Sequence, residues 1–192
     1  MPTILGFGGS LRAGSFNAAL LREAAELAPE GTTVDLSQLD VPGSLPLYDQ
    51  SVDQRSGPPP AVTELKARLA AADGLLVVTP EYNAGIPGSL KNAVDWVSRP
   101  ASDIPRVFGD LPVAFIGAGG LGGTRFAQGA WLPVARYLKM RPWSGSTLYA
   151  ARAWELFDDE GRLTDDPTRD QLRAVVHGFA EHCALIPRGR PR

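Results

Sequence analysis

The sequence predicts an α/β fold in which helices cover both faces of a parallel β-sheet. Short apolar runs alternate five times with amphipathic stretches, which is the pattern of a parallel sheet with crossover helices. The run at residues 74–79 is apolar at consecutive positions, as a central parallel strand buried on both faces must be. A chain of 192 residues is long enough for one domain with a hydrophobic core, but it is short for two domains.

Five apolar runs supply the predicted strands, and the stretches between them supply the helices. The first helix repeats Leu20, Ala24 and Leu27 at helical spacing. The third helix begins near Pro87, which suits a first helical position because its missing N–H would be unpaired there. The predicted strands cover residues 3–8, 32–36, 74–79, 112–117 and 143–149, and the predicted helices cover residues 16–27, 62–71, 87–99, 126–138 and 168–185.

Two segments fall outside this alternation. Residues 42–60 are rich in Pro, Gly, Ser and Asp, which predicts a long loop with a function of its own or some mobility. Residues 187–192 are basic and terminal, which predicts a frayed tail. We find neither a linker nor an internal repeat, so residues 1–186 are expected to form a single domain.

Composition excludes several classes of protein. The formal net charge is −2 with 21% charged residues, so we expect no nucleic-acid partner. No apolar run approaches the roughly 20 residues that cross a bilayer, and the N-terminus lacks a basic region and a cleavage site. Cys183 is the only cysteine; it excludes an internal disulfide, fits a reducing cytoplasm and is expected to pack on a helix face. His177 and His182, five apart in one helix, do not share a face, so no metal site is expected.

Three loops of unusual composition follow predicted strands, and the first leads into a helix. Parallel strands place their carboxyl ends on one rim, where such sheets bind ligands. Residues 8–17 read Gly-Gly-Ser-Leu-Arg-Ala-Gly-Ser-Phe-Asn, and a helix N-terminus is an anion site. Hydroxyls, an amide and a guanidinium supply the donors that a phosphate monoester requires. In the competing interpretation, Ser15 only caps the helix and Arg12 is solvated.

A second interpretation of the first loop is a dinucleotide site. Gly6 and Gly8 resemble the start of that fingerprint, and Asp35 ends the second strand where a ribose-binding acid would lie. Leu11, however, occupies the position of the third glycine. The nucleoside-triphosphate loop and the Gly-x-Ser-x-Gly motif of hydrolases are both missing.

The second and third loops suit a planar heterocycle. Residues 79–93 contain Pro80 and Pro87, which stiffen both ends, and Tyr82 and Asn83, which offer an aromatic face and an amide. The alternative for this loop is a structural turn with a packed tyrosine. Residues 117–125 contain five glycines in nine residues, so a ligand can lie against the backbone, although a flexible connector has the same composition.

These loops carry a family resemblance. The motifs are Gly-Ser-Leu-Arg-x-x-Ser-x-Asn at 9–17, Pro-Glu-Tyr-Asn at 80–83, Pro-Gly-Ser-Leu-Lys-Asn-Ala-x-Asp-Trp at 87–96 and Gly-Gly-x-Arg at 122–125, with Leu-Tyr-Asp-Gln at 47–50. With these motifs in this order, the chain resembles the NADPH-dependent FMN reductase family, which includes quinone, chromate and azo-dye reductases. The resemblance spans roughly residues 3–140 and implies a three-layer flavodoxin-like sandwich with a five-stranded parallel sheet in the order 2-1-3-4-5.

The resemblance also implies FMN at the rim. The third loop departs from many relatives because residues 117–120 lack a serine, so one side-chain contact to the flavin is expected to be missing. The matched positions are Ser10, Arg12, Ser15 and Asn17 for the phosphate, Pro80, Glu81, Tyr82 and Asn83 along the ring, and Gly119 and Gly120 where the third loop closes. Phe16 is a further expected cofactor-binding residue.

The implied activity is the transfer of two electrons from NADPH or NADH through FMN to a quinone, free flavin, azo compound or oxidised metal anion. A ping-pong order with no indispensable acid–base residue is expected, because the flavin carries the chemistry. An electron carrier that binds FMN without oxidising NAD(P)H is the alternative. Arg55, Arg106 and Arg125 are candidates for reading a 2′-phosphate.

The resemblance further implies a homodimer or homotetramer with the flavin near the subunit boundary. Tyr48 and Trp96 are candidate interface residues, with an intramolecular core position as the alternative for Trp96.

Overall fold

The strands form one parallel sheet. The computed structural model describes residues 1–8, 12, 14–38, 40–186 and 188–189. Within them the strands are β1 (Thr3–Gly8), β2 (Thr33–Asp35), β3 (Gly74–Val78), β4 (Pro112–Ala118), β5 (Arg141–Pro142) and β6 (Leu148–Ala150). Their order is β2-β1-β3-β4-β5, and β6 also pairs with β4. The predicted flavodoxin-like order is confirmed, with one strand added.

Helices cover the sheet on both faces. Leu75 and Val77 of β3 point into a core shared with the helices at Pro60–Ala71, Gly88–Val97 and Arg125–Tyr137. Leu76 and Val78 point into a core shared with the helices at Phe16–Glu26 and Asp166–Leu185. No helix of the described residues has the length and apolar composition needed to cross a membrane. The helices are α1 (Phe16–Glu26), α2 (Val41–Ser44), α3 (Gln50–Ser56), α4 (Pro60–Ala71), α5 (Gly88–Val97), α6 (Ile104–Val107), α7 (Arg125–Tyr137) and α8 (Asp166–Leu185).

The predicted fifth strand is two short strands in the structure. A continuous strand over residues 143–149 is wrong: β5 pairs with the start of β4, and β6 pairs with its end. Between them the chain leaves the sheet after Trp143, whose N–H still donates to Val113 O at 2.8 Å. The Trp143 ring lies 5.6 Å from that of Phe179, centroid to centroid. Because this packing is tertiary, the local pattern does not indicate where pairing stops.

The prediction of one long loop at residues 42–60 is wrong, because the segment contains a short helix. Helix α3 begins after Asp49, whose carboxylate accepts hydrogen bonds from the backbone N–H groups of Ser51 (2.7 Å) and Val52 (3.3 Å). It ends at Gly57, which has a φ of 72°. An N-cap and a left-handed glycine therefore define a short helix inside a segment of loop-like composition.

The stretch between α2 and α3 is bound to α5. The carbonyl of Pro46 accepts hydrogen bonds from Trp96 Nε1 at 2.8 Å and Asn92 Nδ2 at 2.9 Å, and the Tyr48 ring meets the Trp96 ring edge-on at 5.0 Å. Trp96 is 1% exposed. It belongs to the intramolecular core, so its candidacy as an interface residue is wrong.

The single thiol is also a core group. Cys183 is buried on the inner face of α8, and a Cβ placed on Gly74 would lie 2.6 Å from its Sγ. Burial raises the pKa of Cys183 to about 12, so the thiol stays protonated at neutral pH. Its predicted packing role is confirmed.

The sequence predicts a frayed tail at the end of the chain, but Arg188 is anchored there by hydrogen bonds. Its side chain is buried, and its guanidinium donates to the carbonyls of Leu69 at 2.8 Å, Arg106 at 2.8 Å and Gly109 at 3.0 Å. These carbonyls lie at or just beyond the C-terminal ends of α4 and α6, where a cation is favoured. Residues 187 and 190–192 of the tail lie outside the described part of the chain.

Replacing Arg188 with alanine is expected to lower the free energy of unfolding by about 2–4 kcal/mol, because buried carbonyls lose charged donors. Urea unfolding of the full chain measures the effect. Arg136→Ala on the exposed surface of α7 is the matched control and should cost less than about 0.5 kcal/mol. Equal unfolding midpoints for the two variants would show that Arg188 does not anchor the tail.

Candidate functional site

The N-terminus of α1 lies at the rim of the sheet, directly after β1 and the first loop. Ser15 is its N-cap, and its hydroxyl oxygen accepts a hydrogen bond from Ala18 N at 3.2 Å. The capping role is therefore present, but it leaves the hydroxyl hydrogen available to donate. The first-turn N–H groups of a helix have no partner within the helix and attract anions.

Arg12 supplies positive charge beside this helix end. Its Nη2 donates to the carbonyl of Gly14 at 3.2 Å, and its guanidinium lies 5.0 Å from the centre of the Phe16 ring. It forms no ion pair with a carboxylate of the described residues. Arg12 is thus oriented by an aromatic face while its charge is not neutralised. The predicted phosphate ligand Ser10 lies outside the residues that the structure describes.

Asn17 joins the first loop region to the third. It is 5% exposed. Its Nδ2 donates to the carbonyl of Ala118 at 2.8 Å, and its Oδ1 accepts from the N–H of Ala118 at 2.9 Å. The amide proposed as a phosphate donor is therefore already engaged on both sides by backbone.

The second loop is a tight turn with a cavity-facing aromatic. Tyr82 and Gly85 exchange backbone hydrogen bonds at 3.3 and 3.0 Å. Between them Asn83 and Ala84 both have positive φ, 51° and 57°, as a type I′ turn requires. Tyr82 is 54% exposed, so it is not the packed tyrosine of the alternative interpretation.

Glu81, in the same loop, binds the start of α7. Its Oε2 accepts hydrogen bonds from Phe126 N at 2.8 Å and Ala127 N at 3.0 Å. Thr124, the N-cap residue of α7, makes no side-chain capping bond. A carboxylate from another loop therefore caps the helix and meets its partial positive charge.

The third loop is held on several sides and is not a flexible connector. A Cβ on Gly117 would lie 2.2 Å from the carbonyl oxygen of Thr79, and one on Gly119 would lie 2.6 Å from that of Gly123. Gly119 N donates to Ala150 O at 2.9 Å. Gly120 differs, because a Cβ there would meet nothing within 4 Å. It lines open space that a ligand can occupy.

These elements enclose a cavity of about 290 Å³ at the rim of the sheet. It brings together most of the predicted site residues, whereas Asn83 is not among its lining residues. Ala118, Ala153 and Trp154 line it without having been predicted. Trp154 follows β6, so recognising the split fifth strand would have placed it at the rim. The predicted residues that line the cavity are Arg12, Ser15, Phe16, Asn17, Pro80, Glu81, Tyr82, Gly119 and Gly120.

The dinucleotide alternative needs Asp35 to bind a ribose. Instead its carboxylate accepts from Ser37 N at 2.9 Å and from Arg68 Nη1 at 3.0 Å. Burial would raise the pKa of Asp35, but these hydrogen bonds and the charge of Arg68 outweigh it and hold the pKa below its usual value. Asp35 is engaged by protein groups and does not line the cavity.

The three candidate readers of a 2′-phosphate lie outside the cavity lining. Arg106 is held by Asp103 through two hydrogen bonds of 2.6 and 2.7 Å. Arg125 is the one beside the third loop, where its Nε donates to Gly122 O at 3.0 Å. Arg55 lies in the last turn of α3.

Known proteins are similar to this chain in sequence and in fold. The family model for NADPH-dependent FMN reductases matches residues 2–155. An NAD(P)H-dependent FMN reductase of Pseudomonas aeruginosa is 40% identical over 177 residues, covering 92% of either chain. A 2-hydroxy-1,4-benzoquinone reductase of a Burkholderia species is 39% identical over 173 residues, covering 90% of this chain and 91% of its own.

A solved structure agrees with these relatives. FerB, a flavoenzyme NAD(P)H:(acceptor) oxidoreductase from Paracoccus denitrificans, superposes with a TM-score of 0.83 at 28% sequence identity. The alignment covers 97% of this chain and 100% of FerB.

Proposed function

The chain belongs to the NADPH-dependent FMN reductase family, and we propose that within it this protein passes two electrons from NADPH or NADH to a quinone. The family assignment gives FMN as the cofactor. The observation that supports the proposal is one cavity that joins a phosphate-binding end to an aromatic end.

The phosphate end is the N-terminus of α1. Arg12, Ser15 and the first-turn N–H groups of Phe16 and Asn17 are the donors that would hold a phosphate monoester. The charge of Arg12 would offset the phosphate charge, while the Ser15 hydroxyl donates a hydrogen bond without losing its capping bond. These residues bind and orient the cofactor.

The ring end lies along the second and third loops. Pro80, Glu81 and Tyr82 present the edge of a rigid turn, and Gly119 and Gly120 leave backbone without side chains. A planar ring system fits between such surfaces. Bound there, FMN would supply the two-electron redox chemistry that links the nicotinamide donor to the acceptor. No protein group is assigned an obligatory proton transfer.

A quinone is the acceptor class that best fits the mouth of the cavity. Tyr82 and Trp154 line it and remain about half exposed, at 54% and 55%. Exposed aromatic side chains at a cavity mouth offer stacking surfaces for flat, apolar rings. The Burkholderia relative is named for a benzoquinone substrate, which agrees with this choice.

We also propose a homodimer or homotetramer in the cytoplasm. Leu132 and Tyr137, 49% and 70% exposed, leave apolar surface on α7, beside a groove of about 360 Å³ between α5 and α7. Such surface is typical of subunit contacts.

Steady-state kinetics test the reaction order. With NADPH and a benzoquinone as varied substrates, the double-reciprocal plots are expected to be parallel, because both substrates use the same cavity and the oxidised nicotinamide leaves first. Intersecting lines would contradict the ping-pong order. A chain that binds FMN but oxidises neither NADPH nor NADH with any quinone would be a carrier instead.

A further inference from the structure

Two side chains connect the start of α1 with the second and third loops of the site. Asn17, at the start of α1, holds Ala118 by a donated and an accepted hydrogen bond of 2.8 and 2.9 Å. Ala118 ends β4 and begins the third loop. Asn17 is 5% exposed, so this pair is shielded from water and strong in context. It fixes the distance between the phosphate end and the ring end of the cavity.

Glu81 makes the second connection, from the second loop to the helix that follows the third loop. Its Oε2 accepts from Phe126 N and Ala127 N, at 2.8 and 3.0 Å. The residues between Ala118 and α7 are thus held by Asn17 at one end and by Glu81 at the other. The Glu81 carboxylate is engaged by these two N–H groups, and Glu81 is also one of the residues that line the cavity.

We propose that Asn17 and Glu81 are positioning residues, which lock the start of α1 and the second and third loops into a rim that is formed before FMN binds. They would act through the backbone that they hold, and their polar side-chain atoms would not be the main ligands of the cofactor. This inference rests on the proposed function, because it assigns the rim to FMN. A preformed rim lowers the ordering cost of binding.

The variants separate geometry from charge. Glu81→Gln keeps a side-chain oxygen that can accept both N–H groups but removes the negative charge, whereas Glu81→Ala removes both. Asn17→Ala removes the connection to Ala118. Glu155→Ala is the matched control: Glu155 is an exposed carboxylate next to Trp154, and its contacts to Arg152 are long, at 3.4 Å.

Two measurements on the flavin-free full chain test the proposal. Hydrogen exchange of peptides covering residues 80–86 and 118–127 should be faster in Asn17→Ala and Glu81→Ala, and unchanged in Glu155→Ala. The dissociation constant for FMN, from quenching of its fluorescence, should rise about tenfold or more in the two alanine variants. Glu81→Gln should stay close to the unmodified chain in both measurements.

Three results would overturn the proposal. If the alanine variants bind FMN weakly while hydrogen exchange of the loops is unchanged, the two side chains bind FMN directly. Faster exchange spread evenly over the whole chain would make their role general stability. If Glu81→Gln gives the same loop exchange and FMN affinity as Glu81→Ala, the negative charge of Glu81 is responsible, and not the position of the loops. If the unmodified chain binds no FMN while loop exchange still follows the expected pattern, the proposed function fails and the loop connections stand.

Discussion

Replacing Arg12 with alanine is expected to weaken FMN binding by about ten- to a hundredfold while leaving riboflavin binding unchanged, which is the scale of a charge-assisted hydrogen bond. Riboflavin lacks the phosphate, so it reports the ring end of the cavity alone. The guanidinium lies beside the N-terminus of α1 without a carboxylate partner among the described residues. A bound phosphate would be its anionic partner. Fluorescence titration of the flavin-free chain with each ligand measures the two affinities.

The control for this prediction lies on the same helix. Arg22→Ala removes an equal charge from an exposed position of α1 outside the cavity, and FMN affinity should not change. Arg12→Lys keeps the charge but loses the planar fork, so it should retain part of the affinity. Equal losses for FMN and riboflavin in Arg12→Ala would show that Arg12 does not bind the phosphate.

Gly117→Ala is expected to lower the free energy of unfolding by about 3 kcal/mol, because the new Cβ overpacks a filled space. It would lie 2.2 Å from Thr79 O and 2.4 Å from Thr124 Oγ1, and both residues are fully buried. Neither neighbour is the end of a flexible side chain, so β3 and β4 would have to separate. Urea unfolding measures the loss.

Gly120→Ala is the matched variant in the same loop. A Cβ there meets no atom within 4 Å, so the expected change is within about 0.5 kcal/mol. If the two variants unfold at the same denaturant concentration, the third loop is looser than its hydrogen bonds to Ala150 and its neighbours indicate.

The centre of the sheet could be predicted from the sequence, but the edge formed by β5 and β6 could not. The runs that form β1, β3 and β4 are apolar at consecutive positions, a pattern that parallel burial alone explains. At that edge, the break between β5 and β6 follows Trp143, whose ring packs against Phe179, 36 residues away in the sequence. Periodicity carries no information about such a contact.

The location of the site was predictable for a similar reason. Loops after parallel strands meet on one rim, so unusual composition at 8–17, 80–87 and 117–125 indicates a shared site. The partners of individual side chains were not predictable. Asn17 and Glu81 have the chemistry of ligands, but their hydrogen bonds reach residues 101 and 45 positions away. Trp154 lines the cavity from a segment without any recognisable motif.

This chain is expected to bind FMN and to reduce it with a nicotinamide donor. The most direct test is the visible absorption spectrum of the purified protein under nitrogen, before and after NADPH or NADH is added. We expect a flavin spectrum that bleaches on addition of a donor and returns when a quinone is added. A colourless protein that takes up no FMN, or a flavin spectrum that neither donor changes, would contradict this expectation.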